Sequence, residues 1–222
     1  MYNTDNQHEE KKMSGSLGID RLSLGEARLF DKNIKKILCA WFGGIPVHTW
    51  GFGGSMGRYL KTYKKSLFGL TELVPPDSIG DVDIVVCFPS EYLKEEALWN
   101  LARIVGCQKN GKPRRRFEWT TYNENKQSEF ATAQVDLFVT TPRAFGATEL
   151  FYLAPKSLQE GLRAIARFRG LKFSPTGIWR ADANQIESKP FKTEYIADVF
   201  DLLGVDDISC SMMSKHAAYA IR

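Results

Sequence analysis

An α+β or mixed α/β body with a C-terminal subdomain is predicted by three features of this 222-residue sequence. Strand-like and helix-like segments alternate up to about residue 140 and then give way to a helix-rich tail, an order that argues for mixed architecture. Two apolar runs, Asp81–Phe88 and Gln134–Val139, read as buried strands. Leu158–Gly170 is the clearest amphipathic helix in the chain. With 43% hydrophobic and 25% charged residues the composition is that of an ordinary globular protein, long enough for one large domain or two small ones.

The elements follow in order. Residues 1 to 18 are polar and Gly/Ser-rich and are expected to be poorly ordered. Leu29, Ile34, Ile37, Leu38 and Trp41 keep helical spacing, with Gly43-Gly44 as the stop. Val47–Phe52 reads as a short strand opening into a loop, Gly53-Gly54-Ser55-Met56-Gly57-Arg58. Residues 59–79 are basic at first and end in a Pro75-Pro76-Asp77-Ser78 turn. After the strand at 81–88, Leu93, Ala97, Leu98, Leu101 and Ile104 mark one side of a helix over 91–105. A basic turn, Lys109–Arg116, leads to a strand at 117–122, a polar loop through Ser128 and the strand at 134–139. From Phe145 the pattern is helical, broken at Ala154-Pro155; residues 172–180 resemble a strand and turn, and 194–203 a short helix ending at Gly204.

Several classes are excluded or disfavoured. No stretch approaches the roughly 18 apolar residues needed to span a bilayer, so no membrane partner is expected. The polar N-terminus lacks the apolar core of a signal peptide, which points to a cytoplasmic protein. Cys39, Cys87, Cys107 and Cys210 form no CxxC pair and no histidine stands near one at ligand spacing, which argues against structural zinc and for reduced thiols. Cys87 reads as a small buried apolar residue, His48 and His216 as surface or loop residues. Trp41, Trp50, Trp99 and Trp119 read as core.

The formal charge of +4 is mild, but it is segregated. Arg58, Lys61, Lys64 and Lys65 form one basic cluster, Lys109, Lys112, Arg114, Arg115 and Arg116 a second, and Lys156, Arg163, Arg167, Arg169 and Lys172 a third. Such clusters are either solvated faces or a footprint for a polyanion such as nucleic acid.

Three carboxylates carry the chemistry. Asp81 and Asp83 stand two apart on a predicted strand, so both point from one face. Asp136 opens the apolar run of a second strand in a similar setting. If the strands are neighbours, three carboxylates converge and repel, and a divalent cation is the natural remedy. Hard oxygen donors without histidine select magnesium or manganese, and a pair of such ions activates an attacking hydroxyl and stabilises a leaving pyrophosphate. Upstream, Gly53, Gly54 and Gly57 would let backbone approach a triphosphate, with Ser55 as donor and Arg58 as counter-charge.

GGSMGR, GDVDIVV and QVDLFV resemble the signature of the polymerase-beta nucleotidyltransferase superfamily. The segment from Val135 to Trp179 is similar to family X DNA polymerases, from the third catalytic aspartate into the thumb, and Asp136 to Phe151 is the family's 15-residue step to its aromatic pair. The resemblance covers about residues 47–204 and implies a palm with a mixed sheet and helices on one face at 19–148, followed by a small α/β thumb at 149–222. It implies a template-directed DNA polymerase that adds a nucleotide to a primer 3′-hydroxyl by a two-metal mechanism, filling short gaps in repair. Its cofactor would be two Mg²⁺ ions with Mn²⁺ able to substitute, its partners gapped or primer-template DNA and a dNTP, its state a monomer located with the DNA.

Residue by residue, the resemblance gives Asp81 and Asp83 both metal ions and Asp136 the catalytic one. Gly54, Ser55, Arg58 and Gly80 would line the nucleotide's phosphates. Phe151 and Tyr152 fall on the aromatic pair packed against the sugar, although Phe151 fits a core role equally. Gln159 falls where an amide reads the minor-groove edge and Arg163 where an arginine touches the template. Lys156 and Arg114 to Arg116 would contact DNA, unless the arginines form a solvated hairpin. The family's small Gly-Ser step is Ala154-Pro155 here, and a cis bond is expected there as in the family. Residues 59–79 lengthen the link from Ser55 to Asp81, either to grip DNA or as a plain surface insertion. Residues 1–46 are too short for the lyase and fingers domains of larger relatives, so no lyase activity is expected. Two other readings stay open: untemplated or small-molecule nucleotidyl transfer, and a DNA-binding protein with a degenerate palm.

Overall fold

The first helix shows how local chemistry sets the frame. In the computed structural model, which describes residues 21–63, 79–105, 114–123, 126–182 and 189–205, α1 spans Leu24–Phe42. Ser23 and Glu26 cap it reciprocally: the Ser23 N–H donates to Glu26 Oε2 at 2.7 Å and the Glu26 N–H to Ser23 Oγ at 3.3 Å. Gly43 ends the helix at φ +62°, a left-handed turn that residues with a Cβ adopt only at a cost. The helix begins five residues earlier than the apolar spacing predicts, because the cap lies outside that stripe. The expected N-terminal tail at 1–18, His216 and most of the 59–79 insertion lie outside the described residues.

A four-stranded sheet carries the rest of the first core: β1 (Thr49–Phe52), β2 (Val82–Cys87), β3 (Arg114–Asn123) and β4 (Lys126–Thr140), ordered β1-β2-β4-β3. β1 is antiparallel to β2, β2 parallel to β4, and β3 antiparallel to β4, so the sheet is mixed. β3 and β4 form a long hairpin with a register shift at Tyr122/Asn123. It takes in the described parts of the expected basic turn and polar loop: Arg114 to Arg116 already belong to β3, and β4 starts eight residues before Gln134, while residues 109–113 and 124–125 lie outside the described residues.

Helices α1 and α3 (Glu91–Val105) bury one face of the sheet in a cluster with Trp41, Phe30 and Phe42 at its centre. Trp41 is fully buried and meets Phe117 and Trp119 edge-on at 4.9 and 5.4 Å between ring centroids. Trp50 and Trp119 pack against this cluster as partly buried residues. Trp99 does not: it is 58% exposed, because α3 turns Ala97, Leu98 and Leu101 inward and a residue between Leu98 and Leu101 faces out. Ile104, expected on the apolar side, is also exposed.

The C-terminal unit has a second core. It contains α4 (Phe145–Leu153), α5 (Lys156–Phe168), the two-stranded β5–β6 sheet (Leu171–Ser174 and Gly177–Arg180) and α6 (Ile196–Leu203). Leu158, Leu162 and Ala166 face it from α5 as the amphipathic pattern predicts. The Asp198 carboxylate caps α6 by accepting from the Tyr195 N–H at 2.8 Å. The predicted boundary at 148/149 falls inside α4, whose residues serve both units: Phe145 and Tyr152 pack with Val85, Cys87 and Phe138 on the sheet face opposite α1, so helices lie on both faces. No described helix is long and apolar enough to cross a membrane.

Candidate metal centre

Alternation along two strands decides which side chains meet. Val82, Ile84 and Val86 of β2 and Val135, Leu137 and Val139 of β4 point into the α1–α3 core. Asp83, Gln134, Asp136 and Phe138 therefore share the other face. Asp83 is the register partner of Asp136 across the parallel pair, and Asp81 sits two residues earlier at the entry to β2. One ligand oxygen from each of Asp81, Asp83 and Asp136 lies within 4.8 Å of the others. Asp136 is 1% exposed, whereas Asp81 and Asp83 open toward solvent. The donor set is three hard carboxylate oxygens with no imidazole or thiolate, which fits a magnesium- or manganese-sized dication.

A cationic side chain pairs directly with the cluster. Arg116, on β3, is the register partner of Asp136 across the hairpin. Its Nε donates to Asp136 Oδ1 at 2.7 Å and its Nη2 to Asp136 Oδ2 at 2.7 Å, a two-pronged pair, while the same Nη2 lies 3.6 Å from Asp81 Oδ2. With its amide oriented to suit, the buried Gln134 carbonyl oxygen accepts from Arg116 Nε at 3.0 Å. The hydrogen bond to Asp136 holds the guanidinium proton more tightly than usual, with Asp136, Asp81 and Asp83 adding through charge and burial opposing them.

The glycine-rich segment reaches the cluster as the start of a helix, not as a loop. α2 runs Gly54–Tyr63, opened by a 2.7 Å bond from the Gly57 N–H to the Gly53 carbonyl. Gly54 sits at φ +54°, and a Cβ there would collide with Asp83 Oδ2. The Gly53 N–H donates to the Asp83 carbonyl at 2.9 Å. The first turn of α2, with its N–H groups lacking helical partners, thus lies against the carboxylates, and Ser55 belongs to that turn. Arg58 follows one turn later, donates through Nη1 to the Leu153 carbonyl at 3.4 Å and feels the charge of Asp83, although burial lowers its pKa. Gly80 faces open space.

The aromatic pair divides its duties. Tyr152 stacks on Phe138 at 3.5 Å between ring centroids, next to Gly53. Phe151 is buried in the second core and carries the Arg163 guanidinium over its ring at 4.7 Å. Gln159 donates to the Phe151 and Ala154 carbonyls at 2.6 and 3.1 Å, so its amide is spent on the end of α4 and not held open to a groove. Lys156 is almost fully exposed beside Glu160. The Ala154–Pro155 bond is trans, against expectation: the described residues contain no cis peptide, and Ala154 at ψ 139° leads to Pro155 in ordinary extended geometry.

The basic strand needs a correction as well. Arg115 is 5% exposed because it pairs with Leu137 and follows that residue toward the α1–α3 core, which removes it from any surface a DNA strand could touch. Arg116 turns to the opposite face and into the carboxylates; the side chain of Arg114 and residues 109 and 112 lie outside what is described. Sequence reasoning missed Arg116 and Gln134 as parts of the centre. The signal was there in the spacing of β3, once 114–116 are counted as strand. No known family model matches the chain, and no curated protein matches its sequence.

Proposed function

We propose that the chain is a metal-dependent nucleotidyltransferase, and specifically a template-directed DNA polymerase of the family X kind that fills short gaps. The observation that carries this reading is the convergence of Asp81, Asp83 and Asp136 from two parallel neighbouring strands, with the first turn of α2 laid against Asp83. Asp81 and Asp83 would hold two divalent ions and Asp136 the one nearer the attacking hydroxyl. When bound, such ions lower the pKa of that hydroxyl and neutralise charge on the transferring phosphate. The N–H groups of α2's first turn and the hydroxyl of Ser55 would receive the nucleotide's phosphates, with Arg58 behind them as counter-charge. Tyr152, fixed by Phe138, would present a flat edge beside Gly53 for the sugar. The α5 residues Arg163 and Lys156 would supply the salt-sensitive grip on the DNA backbone.

One observation favours a second reading, untemplated or small-molecule nucleotidyl transfer: Arg115 is buried, Arg116 is engaged by Asp136 and Gln159 by backbone, so fewer groups remain to read a template. Primer extension on a one-nucleotide gap with magnesium, scored with each of the four templating bases, separates them. Incorporation that follows the template and vanishes in Asp136→Ala supports the polymerase. Incorporation indifferent to template supports the second reading, and no incorporation rejects the polymerase and leaves a DNA-binding protein with a degenerate palm as the reading to test next.

A further inference from the structure

We infer that Arg116 is an internal counter-cation that competes with the divalent ion for Asp136, so that the centre binds free metal weakly and fills readily only when the ion arrives with a polyanionic ligand. The inference rests on the reading of Asp81, Asp83 and Asp136 as a metal centre. Its ground is geometric. A carboxylate presents one in-plane pair of oxygens to a planar fork, and Arg116 takes both oxygens of Asp136 at 2.7 Å. Its Nη2 also lies 3.6 Å from Asp81 Oδ2, within the gap that an ion shared by Asp136 and Asp81 would need. The buried Gln134 amide braces the guanidinium from behind.

The two sides of the cluster are not equivalent. Asp136 is buried and tied, whereas Asp81 and the Arg116 side chain are each more than a third exposed. Arg116 stands on β3, one of the two edge strands of the sheet, and its side chain is 35% exposed, so its guanidinium has solvent on one side into which it can swing. A bare dication must displace a cation that is already hydrogen-bonded and must tolerate it nearby. A dication carrying a triphosphate offers Arg116 new phosphate oxygens in exchange for Asp136, so displacement and recapture go together. Arg116 is then a positioning residue toward the metal, and its effect is to couple metal affinity to nucleotide.

The test measures Mn²⁺ binding directly, by the electron paramagnetic resonance signal of the free ion, in wild type, Arg116→Gln and Arg116→Lys, each with and without a non-hydrolysable nucleoside triphosphate. Removing one positive charge a few ångströms from a dication predicts Mn²⁺ binding to Arg116→Gln about tenfold tighter or more without nucleotide. Arg116→Lys, which keeps the charge and loses the fork, is expected between the two. The gain is expected to shrink when nucleotide is present. Equal or weaker Mn²⁺ binding by both variants, with their fold intact by circular dichroism, overturns the inference and makes Arg116 a permanent strut. Asp136→Asn in the Arg116→Gln background separates this failure from a larger one. If Mn²⁺ binds no background at all, or binds without regard to Asp136, the metal-centre reading itself falls.

Discussion

Gly54 and the Asp83 carboxylate touch so closely that a single methyl group cannot be placed between them. The backbone of Gly54 is also left-handed, at φ +54°, a conformation that costs an alanine about 1–2 kcal/mol. Gly54→Ala is therefore expected to lower stability by about that amount and to displace Asp83. Urea denaturation measures the first effect. The proposed nucleotidyl transfer, expected to fall about tenfold or more, would report the second, because misplacing a group at a reacting centre by about 1 Å can cost 100-fold. A Gly54→Ala variant of unchanged stability would contradict the close packing.

Magnesium is expected to stabilise the folded chain through the same three carboxylates. At a concentration tenfold above its dissociation constant, linkage gives about 1.4 kcal/mol, or about 3–6 °C in Tm for a protein of this size. The comparison is a melt in Mg²⁺ against one in chelator, repeated with Asp136→Asn, where the shift is expected to disappear. An equal shift in the variant would show that the ion acts elsewhere.

Neighbouring residues on α5 are expected to behave in opposite ways. Leu162 is fully buried in the second core, and Leu162→Ala should cost about 2–5 kcal/mol. Arg163 lies on the exposed side with its guanidinium over Phe151, and Arg163→Ala should cost no more than about 1 kcal/mol. The proposed salt-dependent binding to gapped DNA is expected to weaken for Arg163→Ala and to be kept by Leu162→Ala below its melting point.

Cys87 and Cys39 offer a contrast in reactivity. Cys87 is buried, and burial, with the charge of Glu194 adding to it, pushes its thiol from 9.0 up to about 12. Cys39 is exposed. Native alkylation near pH 8, followed by mass spectrometry, should label Cys39 and spare Cys87 until the chain is unfolded. The folded chain keeps the Cys87 proton that the unfolded chain releases near pH 9. This contribution to stability is complete below pH 9 and is lost progressively as pH rises toward 12. Rapid native labelling of Cys87 would contradict its burial.

The two apolar strands and their aspartates were legible because buried parallel strands leave an unbroken apolar run in which an acidic residue stands out. Asp83 and Asp136 occur in such runs and turn out to be register partners. The amphipathic stripe of α5 was legible for the same reason at helical period. The glycine-rich segment misled: three glycines in six residues have poor helix propensity, yet α2 forms because Met56, Tyr59 and Leu60 pack into the first core. Tertiary burial outweighed local preference there.

Arg116 was hidden by a different cause. Three consecutive arginines look like one basic patch when taken for a turn, but on a strand they alternate, and Arg115 and Arg116 end on opposite sides of the sheet. Hairpin length was the missing quantity. The polar segment around Ser128 gave no apolar signal to extend β4, because its strand pairs only with β3 at the rim of the sheet.

The hairpin has a consequence for the order in which the chain assembles. Arg116 and Asp136 are 20 residues apart and meet as soon as β3 and β4 zip together, a local event. Asp83 must be brought to Asp136 across the whole of α3 and that hairpin, a longer closure that is expected to come later. Asp136 is thus expected to be neutralised by its arginine before the other two carboxylates arrive. A chain folding without metal would then be spared from gathering three bare negative charges at once, and the arginine proposed to burden ion binding in the finished protein would ease the route by which the protein is finished.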